Sequence, residues 1–89
     1  MVYVYILKSL KDGKYYIGIT SNLRQRLTKH NSGKVVSTKS RIPFILVKFE
    51  KFNNYLEARV REKELKLYKG GYKFKELLEG AGRSSNGRT

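Results

Sequence analysis

The chain contains no cysteine, a single histidine and a single aspartate, and each scarcity removes a class of chemistry. Without cysteine there is no disulfide scaffold, no thiol nucleophile and no thiolate zinc site. One histidine, His30, cannot build a multi-histidine metal centre. The sole aspartate, Asp12, falls in an Asp12-Gly13 turn, which argues against a Ser-His-Asp triad. No apolar run approaches the roughly 18–20 residues that span a bilayer. The start, Met1-Val-Tyr-Val-Tyr-Ile-Leu7, lacks the basic region and small-residue cleavage site of a secretory leader. The expectation is a reducing, cytoplasmic setting with no membrane partner. A membrane-surface role fits poorly, because basic residues are spread over strand-like and loop-like segments as well as helices.

Acid is scarce too. Seven Asp plus Glu stand against twenty Lys plus Arg, a formal net charge of +13. At 89 residues there is room for one small domain, and 39% apolar content with seven Tyr and four Phe suits a packed globule. From Gly13 to Phe49 there is no acid at all, while Lys14, Arg24, Arg26, Lys29, Lys34, Lys39, Arg41 and Lys48 all fall in that stretch. Charge needed only for solubility would mix its signs; charge of one sign repels itself and makes a face suited to phosphates. Nucleic acid is therefore the expected partner, with Lys14, Arg24, Lys29, Lys34, Lys39 and Arg41 as candidate backbone contacts.

Residues 2–7 are β-branched and aromatic throughout and predict a buried strand, followed by the Asp12-Gly13 turn and a second strand over 14–20. Ser21 or Asn22 is placed to cap a helix over 22–30, with Leu23 and Leu27 on its core side and Asn31-Ser-Gly33 ending it. Residues 34–43 read as a polar, basic loop closing at Pro43. A third strand follows over 44–49. Asn53 or Asn54 then caps a second helix running to about residue 67, before Gly70-Gly71. Residues 72–79 suit a last short helix, and the Gly/Ser-rich stretch 80–89 reads as a frayed tail. The expected fold is a small α/β (α+β) domain over 1–79: a three-stranded antiparallel sheet flanked by helices, ordered ββαβα with the further short helix.

Three groupings could carry chemistry. Alternation puts Tyr3, Tyr5 and Leu7 on one face of the first strand, and Tyr16, Gly18 and Thr20 on one face of the second. Tyr5 and Tyr16 are then expected across from one another beside Gly18, where a missing side chain admits a ligand. An ordinary cross-strand aromatic pair, worth roughly 0.2–1 kcal/mol, explains the same spacing. Asn22, Arg26 and His30 recur every four residues along one helix flank. There an arginine can clamp phosphate and a neutral imidazole can pass a proton, unless the flank is merely solvated. Tyr55, Ala58, Glu62 and Leu65 form one helical stripe whose only acid is Glu62. A carboxylate on a core-facing line needs a partner. Either an ion pair with Arg59 or Lys66 supplies it, or Mg²⁺, which takes one protein carboxylate and completes its shell with waters and substrate phosphate.

Taken in order, Tyr3-Val4-Tyr5 with Tyr16-Ile17-Gly18, then Asn22-Leu-Arg-Gln-Arg26-Leu with His30, then Ala58-Arg-Val-Arg-Glu62 with Leu65-Lys66, resemble the successive motifs of the GIY-YIG nucleases. The likeness spans about residues 2–67 and is strongest to stand-alone, single-domain members. It implies a metal-dependent endonuclease acting on the phosphodiester bonds of DNA, foremost, or RNA, in a setting of DNA repair or recombination. Tyr5 would be the general base or orient the attacking water, with Tyr16 as its partner. Arg26 would stabilise charge on the scissile phosphate, His30 would assist proton transfer or hold the phosphate, and Glu62 would bind one Mg²⁺ or Mn²⁺. Gly18 would be structural. No small-molecule cofactor is implied, and the chain would act as a monomer or weak homodimer. The first motif carries Tyr3 where the family name has glycine, a crowding change rather than a lost catalytic group. A free tyrosine titrates near 10, so the base role requires the metal and the surrounding cations to lower that value. Two other readings use the same charge: a non-catalytic nucleic-acid-binding module on this scaffold, and a basic RNA-associated protein whose tyrosines stack on bases.

Overall fold

Val2–Ser9 forms β1, and the unbroken run of apolar and aromatic side chains over 2–7 has a simple cause: the strand is central and covered on both faces. The structure is a computed structural model that describes residues 1–69, 71, 74 and 78. After β1 come β2 (Tyr15–Thr20), α1 (Leu23–Asn31), a 3₁₀ turn (Lys39–Arg41), β3 (Phe44–Phe52) and α2 (Tyr55–Tyr68). The sheet is antiparallel in the order β2-β1-β3, as expected for an α+β domain. The third strand extends beyond residue 49 to Phe52. Most of the expected 72–79 helix and all of 80–89 lie outside the described residues, although Phe74 and Leu78 are helical.

Both helices start on an asparagine. The Asn22 side-chain oxygen accepts from the Gln25 N–H at 3.0 Å, and that of Asn54 accepts from the Glu57 N–H at 2.9 Å. Each cap satisfies a donor the helix itself leaves unpaired and is worth about 1 kcal/mol. Gly33 follows α1 at φ +80°, a left-handed conformation that a residue with a Cβ adopts only under strain.

Alternation along β1 splits the core in two. Val4 and Ile6, with Ile17 of β2, face α2 and bury against Ala58, Leu65 and Phe74. Tyr5 and Leu7 face the other way, toward Phe44 and the α1 residues Leu23 and Leu27. An amide clip holds α1 to the start of β3: the Asn31 Nδ2–H donates to the Phe44 carbonyl at 3.0 Å, and the Phe44 N–H donates to Asn31 Oδ1 at 2.6 Å. Asn31 thereby completes backbone hydrogen bonds that a further strand would otherwise supply. Among the described residues no helix is long and apolar enough to cross a membrane.

Candidate active site

The hairpin register settles how the two tyrosines meet. Tyr5 lies directly opposite Gly18, and Tyr16 opposite Leu7, so the phenols are diagonal neighbours rather than a facing pair, with ring centroids 6.3 Å apart. Gly18 does not leave room for a ligand. The Tyr5 ring occupies that space: a Cβ built on Gly18 would stand 2.5 Å from the Tyr5 hydroxyl and 2.6 Å from Cζ. The close approach of the Tyr5 phenol to the β2 backbone is a physical reason for a glycine at position 18.

The position of α1 decides the rest. Arg26 and His30 stand one turn apart on the flank beside the Leu23/Leu27 stripe. The flank is not a solvated one, however, because His30 is 0% exposed. Its Nε2 is 3.1 Å from the Tyr5 hydroxyl and its Nδ1 2.9 Å from Thr38 Oγ1. Edge-on rings surround it, with Tyr16 at 4.9 Å, Phe44 at 5.9 Å and Tyr5 at 6.0 Å between centroids. Thr38 Oγ1 also donates to the Val35 carbonyl at 3.4 Å. One assignment of protons satisfies the whole chain: Tyr5 O–H to Nε2, Nδ1–H to Thr38, Thr38 O–H to Val35. Burial, with Arg26 and Lys29 adding to it, pushes the His30 pKa down from its ordinary value, which keeps the imidazole neutral as this chain requires. Full burial also narrows the roles expected of His30. Proton transfer through Tyr5 remains open to it, whereas holding a phosphate directly does not.

Burial dominates the acidity of Tyr5. Burial first, then the neighbouring Tyr16 and last Glu62, raise its pKa, and the Arg26 guanidinium alone lowers it. The cations that were expected to favour the phenolate are outweighed by desolvation, so in the protein without metal Tyr5 holds its proton. The same influences show that Tyr16, Arg26 and Glu62 lie within electrostatic reach of the one phenol.

Glu62 occupies the core-facing line of α2 between the buried Ala58 and Leu65, and its side chain is 14% exposed. Two exposed cations flank it, Lys66 Nζ at 3.2 Å and Arg59 Nε at 3.8 Å, as the spacing allowed. The stripe ends at Tyr55, an exposed ring in the first turn of the helix. Among the described residues there is no group of three or more His, Cys, Asp or Glu side chains able to hold a metal ion. Glu62 alone offers a single hard carboxylate oxygen donor, which fits Mg²⁺ or Mn²⁺ sharing its shell with water and a substrate phosphate.

Arg26 makes no ion pair with any described residue and is half-buried, a guanidinium free for an incoming anion. With Lys29, Lys34, Thr20, Ser21 and Ser32 it lines a groove of about 540 Å³ between α1 and the end of β2. Lys14, Arg24, Lys29, Lys34 and Lys39 are all exposed. Arg41 is committed elsewhere: its Nε lies 3.0 Å from Asp12 Oδ2, and its guanidinium sits 5.5 Å over the Phe44 ring. The sequence hid two residues. Thr38 lies inside a polar, basic stretch whose neighbours do not mark it as buried, and the spacing of Asn31 signals only a helix end.

The GIY-YIG catalytic-domain family profile matches residues 1–74. A UPF0213 protein of Staphylococcus haemolyticus is 42% identical over 78 residues, covering 86% of this chain and 94% of its own. A UPF0213 protein of Streptococcus pneumoniae is 40% identical over 83 residues, covering 92% and 83%. The solution NMR structure of a UPF0213 protein from Bacillus halodurans superposes with a TM-score of 0.53 at 40% identity, over 91% of this chain and 85% of that one. With the profile running from the first strand past the end of α2, and relatives of nearly the same length, the chain belongs to the GIY-YIG nuclease-type family, among its single-domain UPF0213 members.

Proposed function

We propose that the protein is a metal-dependent endonuclease that hydrolyses phosphodiester bonds of nucleic acid, DNA foremost. The observation that carries this reading is the Tyr5 hydroxyl 3.1 Å from Nε2 of His30, a buried imidazole whose Nδ1 lies 2.9 Å from Thr38 Oγ1, within electrostatic reach of Arg26 and Glu62. A buried phenol is a poor base alone. A phenol that hands its proton to an imidazole is a better one. As Tyr5 Oη takes a proton from the attacking water, its own proton passes to His30 Nε2, and the water oxygen forms the new bond to phosphorus while the ester oxygen departs. Before the transfer, the Nδ1–H bond to Thr38 aims the Nε2 lone pair at Tyr5, and afterwards it stabilises the imidazolium. Arg26 donates to the phosphate oxygens as their charge builds. Tyr16, edge-on to His30, packs the relay and limits its contact with water. Glu62 is the residue that would hold Mg²⁺ or Mn²⁺; when bound, the ion neutralises the phosphate and acidifies its own water.

Groove residues Lys29 and Lys34, with Lys14, Arg24 and Lys39, would track the backbone. Binding by such contacts is salt-dependent and nearly indifferent to sequence. The reading includes a cytoplasmic setting, supported by the lack of cysteine, and a place in DNA repair or recombination, supported by the family likeness alone. It also includes action as a monomer or weak homodimer without a small-molecule cofactor.

A specific observation favours a second reading, a binding module without catalysis: Tyr5 is only 3% exposed and Glu62 is clasped by Arg59 and Lys66. Nicking of plasmid and branched DNA with Mg²⁺ or Mn²⁺ separates the two. Cleavage by the native chain, and its loss by about 100-fold or more in Glu62→Ala and Tyr5→Phe with binding in EDTA retained, supports the enzyme. Equal binding and no cleavage by any of the three proteins supports the module.

A further inference from the structure

Register places three residues in one row across the active face of the sheet: Gly18 on β2, Tyr5 on β1 and Phe49 on β3. Residues paired across strands point to the same side. Phe49 therefore stands one strand spacing, about 4.8 Å, from the Tyr5 position and on its face. Tyr5 is buried, yet Phe49 is 51% exposed, an unusual state for a phenylalanine in the interior of a strand. It is not alone. Tyr3, in the next row on that face, meets it edge to face with centroids 5.9 Å apart, and Lys51, paired with Tyr3, is exposed beside them. Because β3 is an edge strand, this aromatic corner opens at the border of the sheet. No acid lies in either row.

An open aromatic face held steady by a second ring, flanked by a lysine and adjoining a site built for a phosphate, suits the flat π-surface of a nucleobase. We infer that Phe49, braced by Tyr3, is a stacking platform for one unpaired base next to the phosphate held at Tyr5 and Arg26. A base inside a duplex offers its neighbours both its faces, so the platform recognises a strand with a free or splayed-out base. Lys51 would meet the backbone of that nucleotide. The inference rests on the nuclease reading for the phosphate's position and adds to it a substrate-positioning residue on a different strand.

The test is binding in EDTA of a labelled single-stranded 20-mer and of the matching duplex. The protein has no tryptophan, so Phe49→Trp introduces a unique emission on the platform itself. Phe49→Ile keeps a β-forming apolar residue while removing the ring, and circular dichroism establishes that it folds. Expected results are a loss of about 10-fold or more in single-strand affinity for Phe49→Ile, a change within about twofold for the duplex, and quenching of the Phe49→Trp emission on adding the single strand. Unchanged single-strand affinity in Phe49→Ile, equal loss on both substrates, or an unquenched tryptophan at saturation would overturn the platform. So would sedimentation showing a dimer that Phe49→Ile dissociates, since a second chain would then be what covers the ring. If the native chain binds neither nucleic acid, it is the nuclease reading that fails.

Discussion

The two faces of the sheet are built from alternate residues of the same strand, yet they follow different rules. Toward α2 the contacts are aliphatic and closed: Val4, Ile6, Ile17, Ala58 and Leu65, with Phe74. Toward α1 lie Tyr5, Tyr16 and Phe44 around a buried imidazole, with a hydrogen-bonded chain leading to Thr38. Among those apolar residues burial depends on shape and area alone. On the second face, every polar atom must also find its partner, because an unsatisfied group there costs about 1–3 kcal/mol. The division is not complete: Glu62, which acts electrostatically on Tyr5, comes from α2, so β1 and α2 both serve the packed core and the candidate site.

Substitutions on each side should separate the two. Leu65→Ala, which empties volume beneath the α2 face, is expected to cost about 2–5 kcal/mol in urea unfolding. It should leave nucleic-acid affinity per folded molecule unchanged; a comparable loss of affinity would mean the faces are coupled. Gly18→Ala acts on the other face. The new Cβ must push the Tyr5 phenol aside, with an expected cost of about 1–3 kcal/mol. Cleavage should fall far more than stability, because the Tyr5–His30 contact is what moves. Thr38→Val keeps shape but leaves the His30 Nδ1–H without an acceptor, for an expected 1–3 kcal/mol, estimated at about the cost of one buried unpaired donor. If Thr38→Val is as stable as the native chain, the proton assignment along that chain is wrong.

The smallest effect is one of pH. An unfolded imidazole takes its proton near 6.5, whereas folded His30 resists doing so. As pH falls through and below 6.5, the unfolded chain binds the extra proton first and stability declines. Thermal melts from pH 7.5 to 5.5 should show that decline in the native protein and a flatter line in His30→Gln. Equal slopes would place the titration elsewhere.

Much of this was readable from residue order. Continuous β-branched and aromatic residues marked β1 because it is covered on both sides. Asn22 and Asn54 marked helix starts because an amide cap is a local device needing nothing from the rest of the fold. Glu62 stood out because period 3.6 put it on a line of otherwise apolar or small residues. What stayed hidden depends on distance. Nothing near Thr38 announces that it meets His30, Asn31 gives no sign of clipping to Phe44, and the pairing of Arg41 with Asp12 crosses from one loop to another. Burial of His30 follows from how α1 lies on the sheet, which helical spacing alone does not specify. The weight of burial in the Tyr5 acidity has the same origin, since charge can be counted in a sequence and desolvation cannot.

Gly18 and Tyr5 share one volume, and that sharing links their histories. As long as position 5 carries a phenol, any side chain at 18 collides with it; once the ring is replaced by something short, the glycine loses its reason to stay. Members of this lineage that have abandoned the chemistry should drift at both positions together, and a chain with a bulky residue at 18 should be found without tyrosine at 5.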